Sequence, residues 1–519
     1  MQISYLGHAG FLVETDRAIV VMDPWLSPEG AFDSAWFQYP CNHHLAPFVR
    51  EKLQDSRKQR FIYISHEHRD HFDLDFLRTL PASGFTFVVP HFQRNALRTQ
   101  LAGLGTGRVL SCAHGQLVDI PDGFVKLFLE DSGMNRDSAI LVKSGAESFL
   151  NLNDCKLYDQ VSSIAKDAGH ISAFACQFSG ATWHPTCYEY PPAEYQRISR
   201  HKLTTKFEMV ARAIDAVQPG VYLPSAGPAC FLDPTLLHLN FEPVNIFPRA
   251  PQLFDFLRAR LPNLPSKLLE IMPGDVVSAA RGTIDSCGEE RVAEESFEPY
   301  IRAYAERYRD YFADRQPHHS AYQLDSLWQQ LRGALQRKLS AFVLHERVRV
   351  PLYFGFSDSA GRLLRLDFPA GTVDFASAIS EADFCSILIP SWQIARVLDG
   401  SLSWEELALT FRVRLNRKPD VYQTLIQGFL LMEPEDMNWF CARIVEVEER
   451  KNRVIVEAGG TKYSIDRFCP HQGGDLSQGW LHEGRFWTCP RHRWQFDLER
   501  DGRCTTSSGS IHAVCLEND

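Results

Sequence analysis

Two groups of residues in this chain have the types and spacing that hold metals. His66-x-His68-x-Asp70-His71 follows directly on the apolar run RFIYIS. Four groups able to ligate a metal thus fall within six residues at a strand end, where they can converge without the chain folding far. His66 and His68 project from one side of an extended segment, and Asp70 with His71 can turn back toward a second position. Near the other end, Cys469-x-His471 is followed about 17 residues later by Cys489-x-x-His492. Each loop offers one thiolate and one imidazole. A [2Fe-2S] cluster with one iron on two thiolates and the other on two imidazoles needs that pairing. A zinc site of Cys2His2 type usually groups Cys with Cys and His with His instead.

The elements that must position these groups read in four stretches. From Met1 to about Glu289, short β-rich runs (ISYLGHAGFLVE, AIVVMDP, FTFVVP, SAILVK) alternate with helix candidates such as APFVREKLQDSRK and FDLDFLRTLP. That is a mixed α/β domain. From about Glu290, FEPYIRAYAERYRDYFADR and SLWQQLRGALQRKLSAFV place apolar residues at helical spacing. Residues from about Val348 to Phe429 return to mixed patterning, with a helix expected after Ser403, which has Glu406 three residues on. Past a boundary near Glu433, WFCARIVEVEE, RVIVEAGG and TKYSIDRFCPH read as three short strands of a small β domain. The expected domains are therefore 1–289, 290–432 and 433–519.

Composition bounds the partners. The chain has 519 residues, 45% hydrophobic and 23% charged, with a net charge of −10, which suits two to four globular domains and argues against a general nucleic-acid binder. No apolar run approaches the roughly 20 residues that span a bilayer, and the N-terminus alternates like a strand rather than a signal peptide, so no membrane partner and a cytoplasmic location are expected. Thirteen scattered Cys fit a reducing compartment better than a disulfide framework.

Residues Met437 to Asp519, with Gly473-Gly474-Asp475-Leu476 after the first ligand pair and WQFDL after the second, resemble the Rieske ferredoxin family. The IYISHEHRDHF motif, the turn at Asp23 to Trp25 and FLNLND ending at Asp154 resemble the metallo-β-lactamase fold, an αββα sandwich. That resemblance makes Asp154 the carboxylate that bridges or completes the metal site. The fold's usual third His has no counterpart in LEDSGMNRDSAILV, where Asp131 is the substitute, and its last His is missing from LPSAGPACFLDP. His8, in the turn after the first strand, could approach the site. The candidate metal set is then His66, His68, Asp70, His71, Asp154, Asp131 and His8, and the cluster set is Cys469, His471, Cys489 and His492.

A hydrolytic zinc site has no use for electrons, so a one-electron carrier in the same chain favours a redox metal: one or two non-haem iron ions, with zinc and manganese left open by ligand type. The expected function is a monooxygenase in which the cluster relays electrons to iron for O2 activation and oxygen insertion into a small polar substrate. The alternatives are a metal-dependent hydrolase with a redox-sensing Rieske domain, and an O2- or NO-reducing component. Those stretches, with QFSGATWHP and LSWEELALTFRVRLNRKPDVYQTLIQGF, together resemble the CMP-N-acetylneuraminate hydroxylase family over most of residues 1 to 430. The resemblance implies a sugar-nucleotide N-acyl substrate and electrons from cytochrome b5; an amine or amino-acid substrate would serve the same iron equally well, and a ferredoxin or a flavin reductase is an alternative donor. That family carries its Rieske domain at the N-terminus, so the order here is permuted, and electron delivery across a homo-oligomer is compatible with it. Gln177 to His184 and Ser225 to Pro228 are expected to line the cleft. The basic run Ser199 to Lys206 is expected to be a solvated face, as is the pair His43-His44.

Overall fold

The computed structural model describes residues 1–93, 96–132, 134, 136–180, 182–288, 291–315 and 323–516. The expected domain boundary at 289/290 lies outside the described residues. Two compact units are present: Met1–Asp131 with Asn135–Ala181 and Gln196–Arg307, and Ser132–Met134 with Thr182–Tyr195 and Tyr308–Asp519.

The first unit is built on two sheets. One runs, in spatial order, Thr283–Ser286, Val276–Ser278, Gln2–Gly7, Gly10–Glu14, Ala18–Met22, Gln59–Tyr63, Thr86–Pro90 and Arg108–Cys112. The other runs Lys267–Leu268, Val221–Ser225, Ala173–Gln177, Glu147–Asn151, Arg136–Ser144, Gly123–Asp131 and Leu117–Ile120. Strand periodicity divides the side chains between two cores. Ile3, Phe11, Val13, Val20 and Met22 pack with Val125, Ile140, Phe149, Ala173 and Leu223 between the sheets. Leu12, Ile19, Val21 and Ile62 point the other way, onto Val49, Phe76, Leu77 and Leu97 of three helices. Those helices, Ala46–Lys52, Leu74–Leu77 and Ala96–Gly103, are the crossovers that parallel pairing of neighbouring strands demands. Val161–Ala168 and Pro192–Val217 serve the parallel strands of the second sheet in the same way. This is the expected four-layer α/β sandwich.

The second unit holds a five-stranded sheet (Thr372–Ala376, Ser359–Asp367, Leu352–Phe356, Phe384–Ile389, Arg414–Lys418), with helices Leu324–Ala341, Ser391–Leu398, Trp404–Leu409 and Thr424–Leu431. Ser403 caps the third of these helices in a capping box with Glu406, as its spacing predicts. The chain then folds into a three-stranded sheet (Arg453–Ala458, Thr461–Asp466, Val514–Leu516) and a four-stranded one (Trp480–His482, Phe486–Thr488, Gln495–Asp497, Arg503–Cys504). One expectation fails here: WFCARIVEVEE is not a strand but part of the helix Met437–Glu449. The alternation in RIVEVE mimics a strand, yet Met437, Phe440 and Cys441 are the buried positions, which is the i, i+3, i+4 stripe of a helix.

Candidate metal centre and cluster loops

Four loops and one strand start carry the candidate metal-site side chains of the first unit. His8 occupies the turn between Gln2–Gly7 and Gly10–Glu14 with a left-handed φ of 51°. Its carbonyl accepts from the Tyr5 hydroxyl and from Ala226 N, which fixes the turn. Asp23 follows Ala18–Met22, and His66 to His71 follow Gln59–Tyr63. Asp73 joins these two loops: its carboxylate caps the helix Leu74–Leu77 by accepting from Phe76 N, and also accepts from Leu26 N, Ser27 N and Ser27 Oγ. On the second sheet, Asp137 lies in the strand Arg136–Ser144 and Asp154 follows Glu147–Asn151.

Their donor atoms fall into two overlapping groups. His8, Asp70 and His71 form one, and His66, His71 and Asp154 the other, with each group's ligand atoms within 4.8 Å of one another. His8 Nε2 lies 3.0 Å from Asp70 Oδ2. His71 Nε2 lies 3.8 Å from Asp70 Oδ2 and 3.7 Å from Asp154 Oδ1. His66 Nε2 faces His68 Nδ1 at 2.8 Å, and His66 Nδ1 is 3.3 Å from Asp137 Oδ1. Behind His71, Asp23 Oδ2 accepts from Nδ1 at 2.8 Å, while Ser65 N and Ser65 Oγ donate to the same carboxylate at 2.8 and 2.6 Å. This outer carboxylate turns His71 so that Nε2 points at Asp70 and Asp154.

The electrostatics describe a nest of carboxylates with too little positive charge. Burial works against a charged ring at His71, but Asp70, Asp23 and Asp154 outweigh it and push the imidazole up to about 10. Burial likewise works against the Asp70 charge, yet His71 and His8 hold it well below the usual carboxylate range. Asp137 goes the other way, pushed well up by burial and by the Asp154 charge. Burial, then His71 and His68, push His66 well down. Lys156, on the Asp154 loop, is a cation whose field reaches both His66 and Asp137.

These residues fit a metal. His71 Nε2, Asp70 Oδ1 and Asp154 Oδ1 are buried with no hydrogen-bond partner among the described residues, and His8 Nε2 faces Asp70 Oδ2. Such orphaned atoms each cost about 1–3 kcal/mol unless something else satisfies them. Two groups of three residues with donor atoms within 4.8 Å of one another, imidazole and carboxylate but no thiolate, suit a divalent first-row ion of the iron, manganese or zinc type.

The cluster loops are built alike. Cys469 N donates to Gly474 O and Gly473 N to Cys469 O; Cys489 N donates to Trp494 O and Arg493 N to Cys489 O. Each loop so closes a five-residue turn whose last member is left-handed, Gly473 at φ 68° and Arg493 at φ 62°. The two thiols are fully buried. Burial and the neighbouring Cys489 push the Cys469 thiol well up, so cluster assembly must expel its proton. The His471 and His492 rings stand 4.6 Å apart, edge to face. Gly474 has no side chain for a spatial reason: a Cβ there would lie 2.9 Å from Cys489 Sγ. Two thiols and two imidazoles presented by facing loops fit a [2Fe-2S] cluster.

The structure brings His8, His66, His68, Asp70, His71 and Asp154 together, and Cys469, Cys489, His471 and His492 in the second unit. Asp131 pairs with Arg136 at the end of its strand ladder and, like Asp137, belongs to neither metal group. Asp137, which the sequence reading did not name, lies beside His66, its Oδ1 3.3 Å from Nδ1. A buried Asp opening the apolar strand SAILV was the available signal. Asp23 and Lys156 were also missed as site residues. Gln177 is tied down by Lys206 Nζ, which donates to its Oε1 at 2.6 Å, and Lys206 is buried rather than part of a solvated face. His43 is half-buried against Cys41 Sγ at 3.2 Å, and His44 is exposed. Pro228 lines a cavity of about 450 Å³ with Tyr39, Cys230, Phe231, Asn240 and Arg249.

Comparison with known proteins defines the class. The Rieske [2Fe-2S] domain model matches residues 429–512, and the beta-lactamase superfamily domain model matches residues 2–127. The chain therefore joins an N-terminal metallo-β-lactamase-fold domain to a C-terminal Rieske domain, whose cofactor is a [2Fe-2S] cluster. More particularly, it is similar to a Rieske 2Fe-2S iron-sulfur protein of Mycobacterium tuberculosis, 28% identical over 98% of each chain. It also resembles the cytidine monophosphate-N-acetylneuraminic acid hydroxylase of Mus musculus, 28% identical over 239 residues, 44% of this chain and 39% of that one. This likeness is shorter than the expected span of residues 1 to 430. Among solved structures, CmlA, a diiron β-hydroxylase from Streptomyces venezuelae, is 16% identical over 53% of both chains at a TM-score of 0.35, a level that carries no argument. Among the described residues, no helix is long and apolar enough to cross a membrane.

Proposed function

We propose that the protein is an iron-dependent monooxygenase, with residues 1–289 as its catalytic part, 290–432 as an accessory region and 433–519 as its electron carrier. The observation that carries this reading is the presence in one chain of a one-electron carrier and a buried imidazole and carboxylate nest with unsatisfied donor atoms. When bound, the cluster would supply electrons singly and non-haem iron would supply reductive activation of O2 and oxygen insertion into a substrate C–H bond.

The chain's own residues prepare that chemistry. His66, His68 and Asp154 would hold one ion, with Asp137 behind His66 at its Nδ1, and His8, Asp70 and His71, with Asp154 shared, a second. Asp23 and Ser65 keep His71 in the tautomer that leaves Nε2 bare. Trp25, edge-on to His8 at 5.4 Å, and Phe32, edge-on to His68 at 5.9 Å, wall the nest with apolar surface and exclude water. The cavity beside the Ser225 to Pro228 turn would admit a small polar substrate such as a sugar-nucleotide N-acyl group, an amine or an amino acid. The hydroxylase likeness favours the first of these, and an electron-donor protein such as a ferredoxin, cytochrome b5 or a flavin reductase would complete the system.

The deciding experiment is metal and acid-labile sulfide analysis of anaerobically purified protein, with EPR after dithionite reduction and product analysis under O2. A Rieske signal with one or two further irons per chain and reductant-dependent hydroxylation supports the reading. Stoichiometric zinc that persists when iron is supplied, with turnover needing no reductant, would instead establish the metal-dependent hydrolase.

A further inference from the structure

His471 is held differently from the other histidine of the cluster loops. It is 6% exposed, whereas His492 is half-buried. Trp494 stacks on the His471 ring at 4.2 Å with the planes 7° apart. Tyr422 meets the ring edge at 5.3 Å and 88°, with its hydroxyl 3.2 Å from Nε2. Tyr422 also stands edge-on to Trp494 at 5.2 Å, so the imidazole sits in a corner made by two aromatic rings. Because Nε2 is committed to Tyr422, Nδ1 is the nitrogen left for iron. A neutral imidazole bound through Nδ1 carries its hydrogen on Nε2, and with the cluster in place that N–H would donate to the Tyr422 oxygen 3.2 Å away.

Tyr422 lies outside the segment matched as the Rieske domain, residues 429–512, and the fold delivers it deliberately. It follows the strand Arg414–Lys418, and its backbone N donates to Thr506 O at 2.8 Å while pairing with Ser507 in a parallel bridge. The loop Thr505 to Ser510, which carries no ligand, thus anchors the tyrosine. Outside it, Arg417 covers the Tyr188 ring at 4.9 Å and donates to Asp420 at 2.6 Å, and the Tyr190 hydroxyl donates to the same carboxylate at 3.0 Å. This packed polar layer holds the segment that bears Tyr422.

We propose that Tyr422 is a positioning residue for the [2Fe-2S] cluster, which fixes the His471 ring and lowers the cluster's reduction potential by accepting its Nε2 hydrogen. An imidazole that donates its N–H to an oxygen gains imidazolate character and becomes a stronger electron donor to iron. It thereby favours the oxidised cluster, whose iron carries the greater positive charge, and potentials of these clusters respond to hydrogen bonding and exposure of this kind. The inference concerns the cluster alone and is independent of what the first unit does with the electrons.

The test is an anaerobic potentiometric titration of the full chain, followed by EPR, in the wild type and in Tyr422→Phe, which removes one oxygen and keeps the ring. The expected result is an upward midpoint shift equivalent to about a tenfold change in the oxidised-to-reduced ratio, about 59 mV for one electron. A ratio change under twofold, or a downward shift, overturns the proposal. Should the variant fail to retain its cluster, the wild type provides the second test. After transfer to deuterium oxide, pulsed EPR should show one ligand N–H exchanging slowly, that of His471, and one fast. Equal exchange of both would overturn it as well.

Discussion

Metal loading of the first unit should be a proton-releasing reaction, and its size follows from His71. An ion can bind Nε2 only when that nitrogen is bare, but Asp70, Asp23 and Asp154 overcome burial and hold the metal-free ring at about 10. Between pH 7 and about 10 the ring's protonation changes by a factor of about 1,000, about 4 kcal/mol that an ion must supply to displace the proton. Asp137, pushed above the usual carboxylate range by burial and Asp154, releases a second proton if the bound cation ionises it. Calorimetric titration of metal-free protein with ferrous or manganous ion, in buffers of different ionisation enthalpy, should give between one and two protons released, with affinity rising about tenfold per pH unit from pH 6.5 to 9. The same residue sets a stability slope. Its folded value is raised, so its contribution is complete below about 6.5 and lost as pH rises through about 10. Metal-free protein should therefore melt at progressively lower temperature across that window, and metal-loaded protein should not. Heats independent of buffer, with pH-independent affinity, would refute the assignment of His71 as a protonated ligand in the metal-free nest.

Other perturbations separate the sites. Asp137→Ala should lower metal affinity of the first unit by at least tenfold, as loss of a carboxylate that orients a ligating His does, whereas Asp131→Ala should leave it unchanged; equal affinity in both variants by metal titration would return Asp137 to a structural role. Gly474→Ala drives a methyl to 2.9 Å from Cys489 Sγ, and should abolish the Rieske EPR signal while the first unit keeps its metal. Cys469→Ala should remove both the signal and steady turnover, and multiple turnovers by that variant would sink the electron-relay reading. Phe149 is fully buried between the sheets and edge-on to Phe11 at 5.1 Å, so Phe149→Ala should cost about 3–5 kcal/mol in denaturant unfolding; a loss under 1 kcal/mol would mean that core collapses onto the cavity.

The linear pattern alone determined the chemistry that sits close together in the chain. Cys469-x-His471 with Cys489-x-x-His492, and His66 to His71, are short loops whose ligands need only local turns to converge, so their spacing carries the information. Strand and helix periods likewise marked the two-sheet unit and the helices after it. Where two periods overlap, as in WFCARIVEVEE, the pattern misled, because packing of Met437, Phe440 and Cys441 rather than alternation chose the helix. Only the tertiary structure decided which distant residues complete each site. His8 reaches Asp70 because the first hairpin turn and the Ala226 loop are pinned together across two sheets. Asp137 meets His66 because strand register, which a sequence does not print, sets Asp137 opposite Glu130, one pair in from the ladder end held by Asp131 and Arg136. Tyr422 reaches His471 through a backbone bridge to residues about 85 positions further along the chain. Contacts of that separation depend on how whole elements pack, and no local spacing encodes them.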